Sequence, residues 1–167
     1  MQQPVKVVVE HDLASSIVKL LQMEGAKRPF VVLDKFLLDV PAVKDMLQAM
    51  KDQSIEYQVY AGIVPDPPAS VINSGATEMK DFGADSVIAI GGGSSLDGAK
   101  GINIVASDGG KIEDYVKDES AIHDLKPLIS VPTTAGTGSE MSNALVVTDT
   151  QTHEKNAILS DKMLSDY

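Results

Sequence analysis

Short runs of Val, Ile and Leu alternate along this chain with longer stretches whose apolar residues recur every three or four positions. That alternation restricts the fold more than any other feature. The strand-like runs are VKVVVE (5–10), FVVLD (30–34), EYQVY (56–60), SVIAIG (86–91), PLISVP (127–132) and ALVVTD (144–149). Between them, Leu13, Ile17, Leu20 and Leu21 follow the spacing i, i+4, i+7, i+8, and Val43, Met46, Leu47 and Met50 follow i, i+3, i+4, i+7. Two more helices are expected from Ala69 to about Phe82 and from about Ser95 to Ala106, the latter with Leu96, Ala99 and Ile102 on one side. Strands with so little polar alternation are buried on both faces, and strands that alternate with helices form parallel βαβ units. The expected class is α/β: a Rossmann-like, doubly wound, mostly parallel sheet flanked by helices, with right-handed crossovers. The stretch 107–126, SDGGKIEDYVKDESAIHDLK, is charged and carries a Gly pair, so a surface excursion is expected there.

The 167 residues suit one domain with a core of its own. A formal net charge of -10 argues against nucleic acid or an anionic membrane as partner, because those surfaces require the opposite field. There is no cysteine, which excludes disulfides, thiolate nucleophiles and thiolate metal sites. The start, MQQPVKVVVEHD, has no basic flank, no long apolar stretch and no small-residue cleavage site, so no signal peptide is read there. No apolar run approaches the ~20 residues that cross a bilayer. A cytoplasmic location is the expectation.

The segment AIGGGSSLDGAKG (89–101) raises the functional question. In open α/β sheets ligands bind beyond the carboxyl ends of the strands. A glycine turn there lets backbone N–H groups approach a phosphate, while the following helix adds its positive end. Ser94 or Ser95 can cap that helix or offer a hydroxyl to the phosphate. The dinucleotide pattern G-x-G-x-x-G fails, because Leu96 stands where the third glycine belongs. The pattern G-x-x-x-x-G-K-[ST] fails too: Ala99 separates Gly98 from Lys100, and Gly101 occupies the hydroxyl position. Phosphate binding and a plain tight turn both remain open for this loop. A second loop, VPTTAGTGSE (131–140), gathers Thr133, Thr134, Thr137 and Ser139 around Gly136 and Gly138. Its hydroxyls could serve a ribose, a diphosphate or an amide, or only the local backbone.

Together the two loops resemble the iron-containing (group III) alcohol dehydrogenase family, whose pattern is GGGS-x-x-D-x-x-K followed by PTT-x-x-T-x-S-E. Gly91, Gly92, Gly93, Ser94, Asp97 and Lys100 match the first part, and Pro132, Thr133, Thr134, Thr137, Ser139 and Glu140 match the second. Asp34 at the end of VVLD, the turn GIVPDPP (62–68) and the stretch TDTQTHEKNAI (148–158), similar to a late hairpin with a lysine, follow in family order. The resemblance spans essentially the whole chain.

It implies the N-terminal domain of a dehydroquinate synthase-like fold, with residues 1–167 as a dinucleotide-binding α/β domain. By the same resemblance Gly92, Gly93 and Ser94 hold the cofactor diphosphate, and Asp97 and Lys100 close this site and support the active cleft. Thr133, Thr134 and Thr137 contact the adenine and nicotinamide sides, and Lys155 stands near the cofactor ribose. A carboxylate after a strand accepts from ribose hydroxyls and repels a 2′-phosphate, so Asp34 favours NAD over NADP. Capping of a turn is the other role open to it.

The family's second, helical domain binds Fe2+ or Zn2+ through one Asp and three His, and the metal acts as Lewis acid on a small alcohol or aldehyde. His11, His123 and His153 are widely spaced and read as surface residues, so neither a metal site nor a catalytic residue is assigned in this chain. The C-terminal end reads as a cut edge with the metal domain absent. The expectation is therefore the NAD-binding half of an oxidoreductase, catalytically incomplete alone and homo-oligomeric, as a dimer. The alternatives are a non-catalytic dinucleotide-binding or regulatory module, and a nucleotide phosphohydrolase with a deviant phosphate loop. The complete PTTAGTGSE fits the alcohol and aldehyde branch better than the glycerol-type and sugar-phosphate relatives.

Overall fold

A computed structural model of the chain describes residues 5–167, so the first four residues of the N-terminal start lie outside the described residues. Helix α1 (Leu13–Glu24) begins at Asp12, whose carboxylate accepts from the N–H groups of Ala14 and Ser15. It stops at Gly25, which turns left-handed with φ 67°. Then follow β1 (Pro29–Leu33), α2 (Pro41–Asp52), β2 (Gln58–Tyr60), α3 (Ala69–Phe82), β3 (Ser86–Gly91) and α4 (Gly93–Asp108). The short α5 (Ile112–Lys117), β4 (Leu128–Pro132), β5 (Ala144–Thr148) and β6 (Lys155–Leu159) complete the described elements apart from short 3-10 turns.

Four strands form one parallel sheet in the order β2-β1-β3-β4, with Leu33 opposite Ile90 and Gly91 opposite Pro132. Strands β1 and β3 are buried along their whole length, which explains their uninterrupted apolar sequences. Their side chains alternate between two cores. Val31, Leu33, Ile88 and Ile90 point into the layer that holds Ile17, Leu21, Met46 and Met50 of α1 and α2. Phe30, Val32, Val87 and Ala89 point into the layer that holds Ile72, Met79, Leu96 and Ile102 of α3 and α4. This is the doubly wound arrangement expected of the chain.

Three local expectations are corrected. VKVVVE does not form a strand: residues 5–10 carry no regular structure, with Val7 and Val9 exposed at 70% and 87%. Among the described residues one backbone bond, from the Lys6 N–H to the Asp166 carbonyl, and the Lys6 ammonium on Tyr167 join them to the extended chain beside β4. β-propensity without a continuous partner ladder makes no strand. ALVVTD supplies β5, but β5 pairs antiparallel with β6 in a separate two-stranded sheet. Leu145, Val147 and Ile158 seat that hairpin on the α3/α4 core. The stretch 107–126 is less superficial than its charge suggests, because α5 and the turn after it bury Ile112, Tyr115 and Ile122 in the same core. Among the described residues no helix is long and apolar enough to cross a membrane.

Candidate functional site

The chain leaves β1 towards β2 on one side, then returns across the sheet to β3 on the other, so the strand order reverses between the ends of β1 and β3. Such a reversal opens a crevice at the carboxyl edge, which is where ligands bind in sheets of this kind. Asp34 follows β1 there, and Gly91 to Ser94 follow β3. An open cleft of about 660 Å³ lies at this edge, within the range of small-molecule sites. It is lined by Asp34, Lys35, Phe36 and Asp39, by Ile63 to Pro65, and by Gly92, Gly93, Ser94, Thr133 and Thr134.

Gly91 makes the turn out of β3 with φ 147°, a conformation that L side chains rarely adopt. A Cβ at Gly91 would stand 2.7 Å from Ser95 Oγ and 3.0 Å from Asp34 Oδ2. The turn therefore packs Asp34 and Ser95 against bare backbone. Gly92 is the N-cap of α4 and brings no side chain to cap it. The first N–H groups of this sixteen-residue helix, with its positive end, are thus left for something else to satisfy. Ser95 Oγ, in the same first turn, is buried and has no hydrogen-bond partner among the described residues. Ser94 Oγ accepts from the Asp66 N–H at 3.2 Å and keeps its own hydrogen free to donate.

The threonine loop stands directly over this helix end. Thr133 N–H donates to the Gly91 carbonyl at 2.9 Å, continuing the β3–β4 ladder. A Cβ on Gly92 would come within 3.2 Å of Thr134 Oγ1, and one on Gly93 within 3.3 Å of Ser139 Oγ and 3.6 Å of Thr137 Cβ. The glycine pair therefore lets hydroxyls and helix N–H groups share one small volume. Asp34 makes no capping bond and no other side-chain hydrogen bond among the described residues. Its carboxylate is not spent on the turn and faces the cleft.

The remaining sequence-derived residues lie behind or beside the cleft. Lys155 pairs with Asp66 at 2.9 Å, and Asp66 bonds Ser94, so Lys155 reaches the glycine loop through one intermediary. Asp97 Oδ2 accepts from the Val146 N–H at 3.1 Å, while its Oδ1 is buried without a partner among the described residues. Burial pushes the Asp97 carboxyl above its ordinary value, against the Val146 N–H, the Lys100 ammonium and Ser139, which pull it down. Lys100, 1% exposed, donates to the carbonyls of Ser139, Ser142 and Ala144 at 2.6, 2.8 and 3.0 Å. Neither Asp97 nor Lys100 lines the cleft; both hold the chain between the threonine loop and β5.

An uncapped helix end, the Ser94 hydroxyl and an unused carboxylate at one crevice fit the diphosphate and ribose of a dinucleotide. A divalent metal does not find such a fit. His11, His123 and His153 are exposed, and no group of three His, Cys, Asp or Glu side chains among the described residues could hold an ion. Sequence reasoning missed Phe36 and Asp39 as cleft residues. Their signal was position, since they directly follow Asp34 in DKFLLD, at the end of a buried strand.

Comparison with known proteins agrees with this geometry. The iron-containing alcohol dehydrogenase family model matches residues 4–167. Alcohol dehydrogenase 4 of Schizosaccharomyces pombe is 37% identical over 141 residues, covering 84% of this chain and 33% of the relative. The NAD-dependent methanol dehydrogenase of Bacillus methanolicus is 32% identical over 143 residues, covering 86% of this chain and 38% of the relative. The crystal structure of sulfoacetaldehyde reductase from Bifidobacterium kashiwanohense in complex with NAD+ superposes with a TM-score of 0.89 at 27% identity, over 98% of this chain and 43% of that one. The chain thus spans about a third of the length of the curated relatives it matches. With a family match over nearly all its residues, and with the two loops of that family facing each other across one crevice, the chain belongs to the iron-containing alcohol dehydrogenases.

Proposed function

We propose that this chain is the NAD-binding half of an oxidoreductase that transfers a hydride between the cofactor and a small alcohol or aldehyde. The observation that carries the reading is the meeting of an open α4 N-terminus with the unused Asp34 carboxylate at the point where strand order reverses. In this reading the backbone N–H groups of Gly92 and Gly93 and the Ser94 hydroxyl hold the diphosphate, whose charge the helix end favours. Asp34 accepts from a ribose hydroxyl and repels a 2′-phosphate, so NAD is preferred to NADP. Thr133, Thr134 and Thr137 orient the remainder of the cofactor, and Lys155, linked to Ser94 through Asp66, is assigned to the ribose. Asp97 and Lys100 act from behind, on the loop that carries the threonines. Bound there, the nicotinamide supplies the hydride chemistry.

Support comes from relatives whose names state NAD dependence or whose structure holds NAD+. The alcohol or aldehyde pocket and the divalent metal, Fe2+ or Zn2+, are assigned to the length that those relatives have beyond the matched region. The 167-residue chain on its own is then a binder without alcohol dehydrogenase activity. Parallel titrations with NADH and NADPH, followed by cofactor fluorescence, test this. Binding of NADH with much weaker NADPH is expected; no binding of either, or equal binding, overturns the assignment of the cleft and of Asp34. Alcohol-dependent NADH formation by this chain would overturn its incompleteness.

A further inference from the structure

We propose that Lys100 is a positioning residue whose buried ammonium pins the Thr/Ser loop 133–140 over the open end of α4. The proposal rests on the dinucleotide reading of the cleft for its effect on affinity. The exposed stretch 134–138 hangs between two fastenings. At its start, the Thr133 N–H is bonded to the Gly91 carbonyl. At its end, the Ser139 carbonyl accepts from Lys100 Nζ at 2.6 Å. Between those points the only hydrogen bonds that involve loop residues are local ones, from the Ser139 N–H to Thr137 Oγ1 and from the Met141 N–H to the Gly138 carbonyl, among the described residues.

The same ammonium also holds the carbonyls of Ser142 and Ala144, and Asp97, one turn earlier on α4, holds the Val146 N–H. Two side chains of one helix face therefore set where the loop ends and where β5 begins. Lys100 lies seven residues, about 10 Å of helix rise, from the Gly93 end of α4, so it can act on the cleft only through the loop. A protonated lysine supplies three N–H donors, and all three have acceptors here. Burial pushes the Lys100 ammonium below its ordinary value, and the Asp97 and Glu140 carboxylates oppose that shift. A buried ammonium whose three donors all go to backbone carbonyls is the signature of a fastening rather than of a ligand contact in the cleft.

The chain lacks cysteine, so Lys100→Cys introduces a single thiol that can be alkylated in denaturant before refolding. An S-aminoethyl group rebuilds a lysine analogue with its ammonium, and an S-propyl group rebuilds the same length without it. The readouts are NADH affinity by fluorescence, amide hydrogen exchange across residues 133–146 and the thermal midpoint. The S-aminoethyl protein should match wild type. The S-propyl protein should exchange loop amides at least tenfold faster and bind NADH at least tenfold more weakly, while the amides of β1 and β3 keep their protection. Unchanged affinity and exchange in a folded S-propyl protein would overturn the proposal. So would a failure of the S-aminoethyl group to restore either. If wild type binds no NADH, the reading of the cleft fails, and loop exchange alone decides the pin: equal rates in all forms overturn it. Should the S-propyl protein not fold, Lys100→Gln, which keeps two N–H donors without charge, takes its place. Loop exchange and affinity should then fall between wild type and loss, and wild-type values in both would overturn the pin.

Discussion

Asp34 Oδ2 lies 3.0 Å from the point where a Cβ on Gly91 would stand, across the gap where β1 and β3 part. The carboxylate can occupy that place only because residue 91 has no side chain. The two residues are 57 positions apart, yet together they shape the floor of the crevice.

Replacement of Asp34 by Ser should lower NADH affinity by about 10-fold or more, the loss of a hydrogen bond to a charged acceptor being worth ~1.5–3 kcal/mol. NADPH affinity should rise or hold, so that the preference between the two collapses. Paired fluorescence titrations measure this, and an unchanged preference would remove Asp34 from the ribose.

Gly91→Ala should destabilise the fold. A positive φ of 147° costs an L residue ~1–3 kcal/mol, and overlap with Ser95 and Asp34 adds a similar amount. A fall of about 3 kcal/mol in urea unfolding free energy is expected, with a change below 1 kcal/mol standing against the turn as described.

Lys155 separates stability from binding. Its pair with Asp66 is largely exposed, at 59% and 63%, and such pairs are worth ~0–1 kcal/mol. Lys155→Ala should move the thermal midpoint little while weakening NADH several-fold. A large loss of stability with unchanged affinity would make the residue purely structural.

Asp97 should leave a signature in pH. Burial raises its carboxyl in the folded chain, so between the folded and the ordinary aspartate values the native state holds the extra proton. Stability attributable to this group then increases as pH falls through that window, and its ionisation is a cost above it. Asp97→Asn removes the dependence. The variant's stability relative to wild type should therefore decrease in denaturant titrations as pH falls towards the ordinary aspartate value, whatever the offset at neutrality. A constant difference would show an unshifted carboxyl.

Gly75 carries the close crossing of α3 and α4. A Cβ there would stand 2.5 Å from Ile102 Cδ1 and 2.9 Å from a Tyr60 ring carbon. Gly75→Ala should lose ~1–3 kcal/mol from overpacking, offset by ~1 kcal/mol of helix propensity. Combining it with Ile102→Val should recover part of the loss, and additive single effects in the double variant would contradict the contact.

Periodicity alone determined the layers of this protein. The runs at β1 and β3 are unbroken because both faces of each strand are covered, and the limits of α3 coincide with those read from its spacing. The GGGS and PTT segments also carried their family, whose model matches residues 4–167. Only the tertiary structure decided what pairs with what. VKVVVE has strand composition but no ladder, and ALVVTD has the same composition yet folds back on β6 rather than joining the sheet. Local sequence records how well a segment suits burial; the choice of partner depends on distant backbone. Lys100 shows the same division. Its place in the motif was legible, but its three acceptors lie 39 to 44 residues away, on carbonyls that every residue type possesses. Backbone acceptors leave no mark in a sequence, so the fastening of the loop could be seen only once the chain was folded.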